Sequence, residues 1–401
     1  MTATEPVKDI ELGAAPMHRD RTDGWRYVSQ SGDILRDSDG TVLLTSLEAV
    51  RFAQRNPALF SSAKAFDLLG SPFQLIPLAV DPPEHRRYRA VLDRNLAPKV
   101  LDALEDELRA QARELIEGFA GQGHCDVQAD LGRLYPTAVV LTLFGLPLSE
   151  RDWWVEHAET VLENASREKQ EQPAEEVLIA AMELIARLQE QIAEKRAHPG
   201  DDILSRLLAI SGDEAWTDAE VLGASMVFIF GGLDTVTAMI GFIMLHLARD
   251  PALRRQVVAD PSLIPPLIEE VLRLEAPAPI VPRVTTEDVE VCGRSIPAGT
   301  RVALCLATAN REEGTHPNPD GIDLEAALNG HHHLSFGGGI HRCLGSHLAR
   351  RELKLMIEEF HKLIPEYSLA EGADPQVVWP SQTVHLDAVP LVFPVRTRPA
   401  P

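Results

Sequence analysis

Four cysteines, Cys125, Cys292, Cys305 and Cys343, are scattered along the chain without a C-x-x-C pair. Neither a disulfide framework nor a cysteine-built zinc or iron–sulfur site is indicated, so a thiol used here is used singly. Cys343 has the most telling surroundings. It sits in Phe336-Gly337-Gly338-Gly339-Ile340-His341-Arg342-Cys343-Leu344-Gly345, directly ahead of the helical pattern Ser346-His347-Leu348-Ala349-Arg350-Arg351-Glu352-Leu353. The dipole and free backbone N–H groups of a helix N-terminus favour the thiolate form of such a cysteine, which can then act as an axial metal ligand. By itself the segment also reads as a glycine-rich turn around an inert buried cysteine.

A second candidate is Asp234 in Phe230-Gly231-Gly232-Leu233-Asp234-Thr235, at the centre of an apolar run over residues 221–248. An unpaired carboxylate on an apolar helix is costly, so Asp234 must be paired, neutral or functional. The plain alternative is a helix crossing permitted by the glycines, with Asp234 salt-bridged. Spacing of three puts Glu270 and Arg273 on one helix face, and spacing of four does the same for His85 and Arg89. In isolation each is an ordinary helical pair.

The elements that position these residues are mostly helical. Apolar residues recur at helical spacing over residues 100–119, 174–195, 219–248, 263–274 and 344–363. Strand-like alternation is confined to short pieces at 40–44, 289–291, 301–305 and 389–395, with turn signals such as Pro297-Ala298-Gly299 alongside. Residues 199–202 read as a break between helices, and residues 311–333 have no period. The 401 residues and 45% hydrophobic content allow one large core or two ordinary ones. A formal charge of -22 argues against nucleic acid or an anionic membrane as the main partner. The polar, acidic start MTATEPVKDIELGAAPMHRD lacks the order of a signal peptide, so a cytoplasmic protein is expected. The apolar run is long enough to span a bilayer, but Asp234 and four glycines inside it favour a buried helix.

The pattern F-G-x-G-x-H-x-C-x-G around Cys343 resembles the haem-binding loop of the cytochromes P450. The resemblance extends at motif level from about Asp81 to the C-terminus. It implies a single domain over residues 1–401, mainly α with small β-sheets, with haem b held non-covalently between the central long helix and the helix of the cysteine loop. Cys343 is then the thiolate ligand of the iron. Phe336 shields the sulfur, and Gly337, Gly339 and Gly345 bring the backbone close to the macrocycle, with positive φ where needed. A thiolate opposite dioxygen favours O–O cleavage. His85, Arg89, Arg283 and His341 are implied as partners of the haem propionates, and Gly232 as a further haem contact. Asp234 and Thr235 resemble the family's acid-alcohol pair, which delivers protons for heterolytic cleavage, the paired glycines loosening the helix locally. Glu270 and Arg273 take the structural E-x-x-R role. At one position the chain departs from the family. Members carry an arginine after an acidic F-D-x-x stretch, whereas Ile322-Asp323-Leu324-Glu325-Ala326 ends in alanine. The partner completing the Glu270–Arg273 network is then open, with His331 or His332 as substitutes. The run His331 to His333 is not read as a metal site.

By the same resemblance, residues 66–77 form a distal lid. Phe73, Leu75, Phe230, Gly231, Ile280, Val281, Thr383 and Val384 line a pocket for a small or medium apolar substrate, with a terpenoid leading. The implied activity is monooxygenation with O2. No dinucleotide-binding fingerprint is present, so electrons are expected from an external ferredoxin or flavodoxin and its reductase. Arg86, Arg87, Arg342, Arg350, Arg351 and Lys354 offer a basic docking patch, with an ordinary solvated face as the alternative. A monomer is expected. Two other readings stay open: a peroxide-driven haem-thiolate enzyme, and a non-catalytic haem sensor or binding protein.

Overall fold

All five stretches with helical spacing fold as helices, and one of them divides. Residues 100–119 give a short helix ending at Asp102 and a longer one, Glu105–Ala120. Three acids, Glu105, Asp106 and Glu107, sit in the first turn of the longer helix, where they favour a new N-terminus through the dipole. The computed structural model describes residues 7–18, 20–66, 73–166, 174–330 and 332–395. In chain order the main helices are α1 (Arg21–Ser31), α2 (Leu47–Arg55), α3 (His85–Asn95), α4 (Glu105–Ala120), α5 (Leu134–Phe144), α6 (Arg151–Ser166), α7 (Glu175–Ala197), α8 (Asp218–Arg249), α9 (Ile264–Glu275) and α10 (Ser346–Leu363). The strands are short: β1 (Lys8–Ile10), β2 (Ile34–Asp37), β3 (Val42–Leu44), β4 (Phe60–Ser61), β5 (His124–Asp126), β6 (Ile280–Thr285), β7 (Val289–Val291), β8 (Arg294–Ile296), β9 (Arg301–Cys305), β10 (Ser368–Leu369), β11 (Val377–Val378), β12 (His385–Leu386) and β13 (Pro390–Val392). The fold is mainly α with small β-sheets.

The chain divides into two compact units, Met1–Leu92 with Glu269–Leu344, and Asp93–Ile268 with Gly345–Pro401. The first holds a six-stranded sheet in the order β1-β2-β3-β9-β6-β4. Strand β9 is buried at four of its five positions, which explains its near-continuous apolar sequence. Around it Leu44, Leu47, Val50, Phe60, Val302 and Leu304 form the core. Strand β6 has no periodic signal in the sequence and carries Pro282. It tolerates that proline because β4 pairs only with Val284 and Thr285, leaving β6 an edge at position 282.

In the second unit α8 is the longest element. Its start is set by a capping box, in which the Thr217 hydroxyl accepts from Glu220 N–H and the Glu220 carboxylate accepts from Thr217 N–H. Its most apolar window has a mean hydropathy of 1.9, enough by length and composition for a bilayer. Here most of its faces are buried instead, from Val221 through Ala248. α5 is buried along nearly its whole length and ends at Gly145, which takes the left-handed conformation. α10 is tied to α4 by Arg109, which donates to Glu358 at 2.7 Å and to Glu359 at 2.8 Å. Two small sheets complete the unit, β10-β13-β5 and β11-β12.

Candidate functional site

The cysteine loop of the first unit is set mainly by its backbone. Gly337 and Gly339 both have φ near +65°, a region that penalises any side chain. A Cβ on Gly339 would also collide with the backbone carbonyl oxygen of Gln54, and one on Gly338 with the Gln54 side chain. The Cys343 N–H donates to Phe336 O at 2.7 Å, closing the loop, and Arg89 donates to Arg342 O at 2.8 Å. Gly345 is different. With φ of -81° it is the N-cap of α10 and has no need of a left-handed backbone. Cys343 is solvent-exposed, two residues ahead of that cap. Phe336 is half-buried against His333, the ring centroids 5.7 Å apart.

Beside the loop, the same unit gathers cations. His85 and His341 lie with ring centroids 4.4 Å apart, and both His85 and Arg283 are buried. Arg283 makes one hydrogen bond among the described residues, to Pro282 O at 2.6 Å. Burial pushes its guanidinium down to about 10, against the opposing pull of Asp81. Asp81 is itself engaged by the Ser61 hydroxyl at 2.5 Å and by Ser62 N–H at 2.9 Å. Burial, then Arg283, then His85 push His341 down to about 3, and its Nε2 is buried without a hydrogen-bond partner. Arg283, with no carboxylate ion pair among the described residues, and the unpartnered His341 Nε2 fit an anionic ligand.

In the second unit, α8 runs unbroken through Gly231 and Gly232, so the loosening expected of the paired glycines does not occur. The Thr235 hydroxyl donates to Gly231 O at 2.9 Å, the ordinary back-bond of a helical threonine. Gly231 is exposed, with open space where a side chain would stand, whereas Gly232 packs against Val140 at 3.1 Å. Asp234 is half-buried, and burial raises its carboxyl above the usual range. A hydrogen bond from Thr383 and the neighbouring His385 act in the opposite direction. Thr383, expected on the substrate pocket, is therefore buried and engaged with the acid, and Val384 is fully buried. Phe230 is half-buried. In the first unit Phe73, Leu75, Ile280 and Val281 are half-buried, while residues 67–72 of the expected lid lie outside the described residues.

The cytochrome P450 family profile matches residues 262–376. Vitamin D(3) 25-hydroxylase from Pseudonocardia autotrophica is 32% identical over 371 residues, covering 90% of each chain. The chain belongs to the cytochrome P450 family. Erythromycin C-12 hydroxylase from Saccharopolyspora erythraea is 34% identical over 313 residues, 77% of this chain and 78% of the relative. Cytochrome P450 CYP109Q5 from Chondromyces apiculatus superposes with a TM-score of 0.86 at 26% identity, covering 98% of this chain and 100% of the other. As a P450 monooxygenase the protein uses haem with a thiolate ligand, a property of the family.

Within this P450 the E-x-x-R pair is built as expected, but its third partner is not a side chain. Arg273 donates to both oxygens of Glu270, at 2.9 and 2.8 Å. It also donates to the carbonyls of Asn310, Asn318, Pro319 and Gly321. The Asp323 N–H donates to Glu270 at 2.8 Å, and the Asp323 side chain caps the short helix containing Ala326. Backbone groups thus fill the place of the family arginine. The expectation for His332 is corrected, since it is exposed and His333 is the histidine that reaches a carboxylate, Glu269 at 3.2 Å. His331 lies outside the described residues. The buried Asn310, which sequence reasoning missed, pins the start of the cysteine loop. It accepts from Leu334 N–H at 2.6 Å and donates to Ser335 Oγ at 2.8 Å. Neither Asn310 nor Gln54 stands out in the sequence, because each acts on residues distant from it along the chain.

The basic residues expected to dock a partner are unequal. Arg351 pairs with Asp102 at 2.5 Å and Glu105 at 3.0 Å, and Lys354 lies 3.6 Å from Glu358. Arg350 donates to Ser346 O, and Arg87 lies over the Tyr88 ring. Arg86 and Arg342 are exposed.

Proposed function

We propose that the protein is a single-domain monooxygenase in which Cys343 would supply the thiolate ligand and His85, Arg89, Arg283 and His341 would hold the propionates of a non-covalent haem b. The observation that carries this reading is the buried group of Arg283, His85 and the His341 ring beside the cysteine loop. Arg283 has no carboxylate ion pair among the described residues, and His341 Nε2 has no hydrogen-bond partner. Two carboxylates would satisfy both. Gly337 and Gly339 shape the loop, and Phe336, Gly345 and Gly232 would meet the bound haem. When bound, haem activates dioxygen, one atom entering the substrate and the other leaving as water.

The remaining chemistry belongs to the chain. The Thr235 hydroxyl proton is committed to Gly231 O, so its oxygen lone pairs are left to accept a hydrogen bond from the reacting oxygen. Asp234, whose carboxyl burial raises above the usual range, is the group that would pass protons on at its carboxyl. Glu270 and Arg273 hold the loop that precedes the cysteine. Phe73, Leu75, Phe230, Gly231, Ile280 and Val281 offer apolar contact, which suits a small or medium hydrophobic substrate of terpenoid type. Thr383 is better placed as the partner of Asp234 than as a substrate contact. Electrons come from a ferredoxin or flavodoxin and its reductase, with exposed Arg86 and Arg342 as docking cations. The expected setting is a cytoplasmic monomer acting on a soluble apolar molecule and O2.

The test is an absorption spectrum, oxidised and then reduced under carbon monoxide, followed by titration with terpenoids, aromatics and fatty acids. Thiolate ligation gives a strongly red-shifted Soret band that is lost in Cys343→Ala. A folded protein with a histidine-type carbon monoxide spectrum would overturn the assignment of Cys343. A spin-state shift confined to fatty acids would overturn the terpenoid assignment alone.

A further inference from the structure

Within the second unit, a cavity of about 60 Å³ is lined by Asp234 of α8, His385 of β12, Gln128, Arg133 and Glu159 of α6. A space of that size holds a short chain of water molecules when polar groups are there to bind them. The lining supplies such groups. Gln128 Oε1 is buried without a hydrogen-bond donor, although the amide nitrogen of the same side chain donates to Leu386 O at 3.2 Å. Thr137 and Thr237 also line the cavity, and their hydroxyl protons go to backbone carbonyls, at 2.8 and 2.7 Å, so their oxygens can only accept from water. Arg133 and Glu159 neutralise each other at 2.9 Å. Asp234 and His385 remain as the groups able to exchange a proton.

Thr383 joins these two. Its side chain bonds to Asp234, and its carbonyl oxygen lies 2.9 Å from His385 Nδ1. A carbonyl accepts and never donates, so Nδ1 carries hydrogen and Nε2 is left to take up and release a proton. His385 and Asp234 are both half-buried, and both line the cavity.

We propose that His385 recharges Asp234 with protons drawn from solvent, through water held in this cavity. In the step, the Nε2–H bond of the imidazolium breaks and a carboxyl O–H bond forms on Asp234. Neutral His385 then takes a proton from the solvent, and no oxidant or reductant is consumed. His385 acts through Asp234 and does not touch the reacting atoms. The inference rests on reading Asp234 as a proton donor in turnover.

Two measurements test it, one independent of turnover. In the ferrous carbon monoxide form with labelled histidine, the NMR titration of His385 is compared between the wild type and Asp234→Asn. Removing the neighbouring carboxyl should change how the His385 ring signals respond to pH. An unchanged titration would break the coupling and the proposal with it. In turnover with the redox partners, His385→Gln should reduce product formation by roughly ten-fold, within the usual range for a lost proton donor. It should also alter the pH profile of product formation and the solvent isotope effect. A His385→Gln enzyme with wild-type rate, pH profile and isotope effect overturns the role of His385 while leaving Asp234 in place. Full coupling in Asp234→Asn would instead remove the reading on which the inference rests. If His385→Gln fails to fold, the Asp234→Asn titration still decides.

Discussion

Two buried arginines of the same unit have opposite surroundings. Arg273, at the end of α9, is 2% exposed and meets both oxygens of Glu270 and four backbone carbonyls. Arg283, in β6, is 8% exposed and among the described residues donates only to its neighbour's carbonyl. Desolvating a guanidinium is expensive in either place. Arg273 meets that cost from within the fold, which makes it a structural group. Arg283 meets little of it, since Asp81 pulls on it without forming an ion pair and His341 stands nearby, so the shortfall marks where an anion from outside the chain belongs. Satisfaction of buried polar groups, more than burial itself, separates scaffold from site.

The contrast can be broken most directly at Arg273. Replacing it with methionine leaves Glu270 buried and unpaired, and should cost about 3–5 kcal/mol in urea unfolding. A cost within experimental error would show that the network is dispensable, and the distinction between the two arginines would lapse.

A smaller effect is expected where the loop depends on backbone shape. Gly339→Ala forces a side chain into a left-handed backbone and against the Gln54 carbonyl, for a loss of about 1–3 kcal/mol. Gly345→Ala, at φ of -81°, should cost under about 0.5 kcal/mol by the same measurement. Equal losses at the two positions would mean that close approach does not shape the loop.

Arg283→Met tests the unsatisfied side of the comparison. Removing a buried cation that has no carboxylate ion pair should change the stability of the haem-free protein by less than about 1 kcal/mol. Haem transfer to an acceptor protein should meanwhile accelerate by roughly ten-fold, the effect of a lost charge-assisted hydrogen bond. Faster transfer without a loss of apo stability sharpens the contrast, whereas unfolding of the apo protein would make Arg283 a scaffold residue after all.

The smallest effect lies in the second unit, where Arg254 pairs with Glu366 at 3.1 Å and stands over Tyr367. Burial, then this arginine, push the neighbouring His361 down to about 4. The unfolded chain takes up that proton near pH 6.5 and the folded chain only near 4, so stability falls as pH drops between those values. From about pH 7.5 to 5.5 the loss should be on the order of 1 kcal/mol, and His361→Gln should flatten that slope in urea titrations. A slope unchanged in the variant would show that His361 does not titrate with unfolding.

Much of this was legible in sequence because the signals are local. Helical spacing places α7, α8, α9 and α10 within two residues of their ends, and the glycine–histidine–cysteine spacing singles out Cys343. The clearest misses are non-local. Strand β6 was invisible because its proline is tolerated only where β4 stops short, and Ala326 left a gap in the E-x-x-R network that is closed by Asp323 N–H and four carbonyls. Backbone groups are the same in every residue, so no residue type announces them.

What the sequence determined by itself is therefore the inventory: a single reactive thiol at a helix start, an acid within an apolar helix, and the set of cations. Which cations lack a carboxylate partner, and which threonine and histidine engage Asp234, were decided by tertiary structure. Solvation and pairing depend on neighbours brought together from distant parts of the chain, and those neighbours have no fixed spacing in sequence.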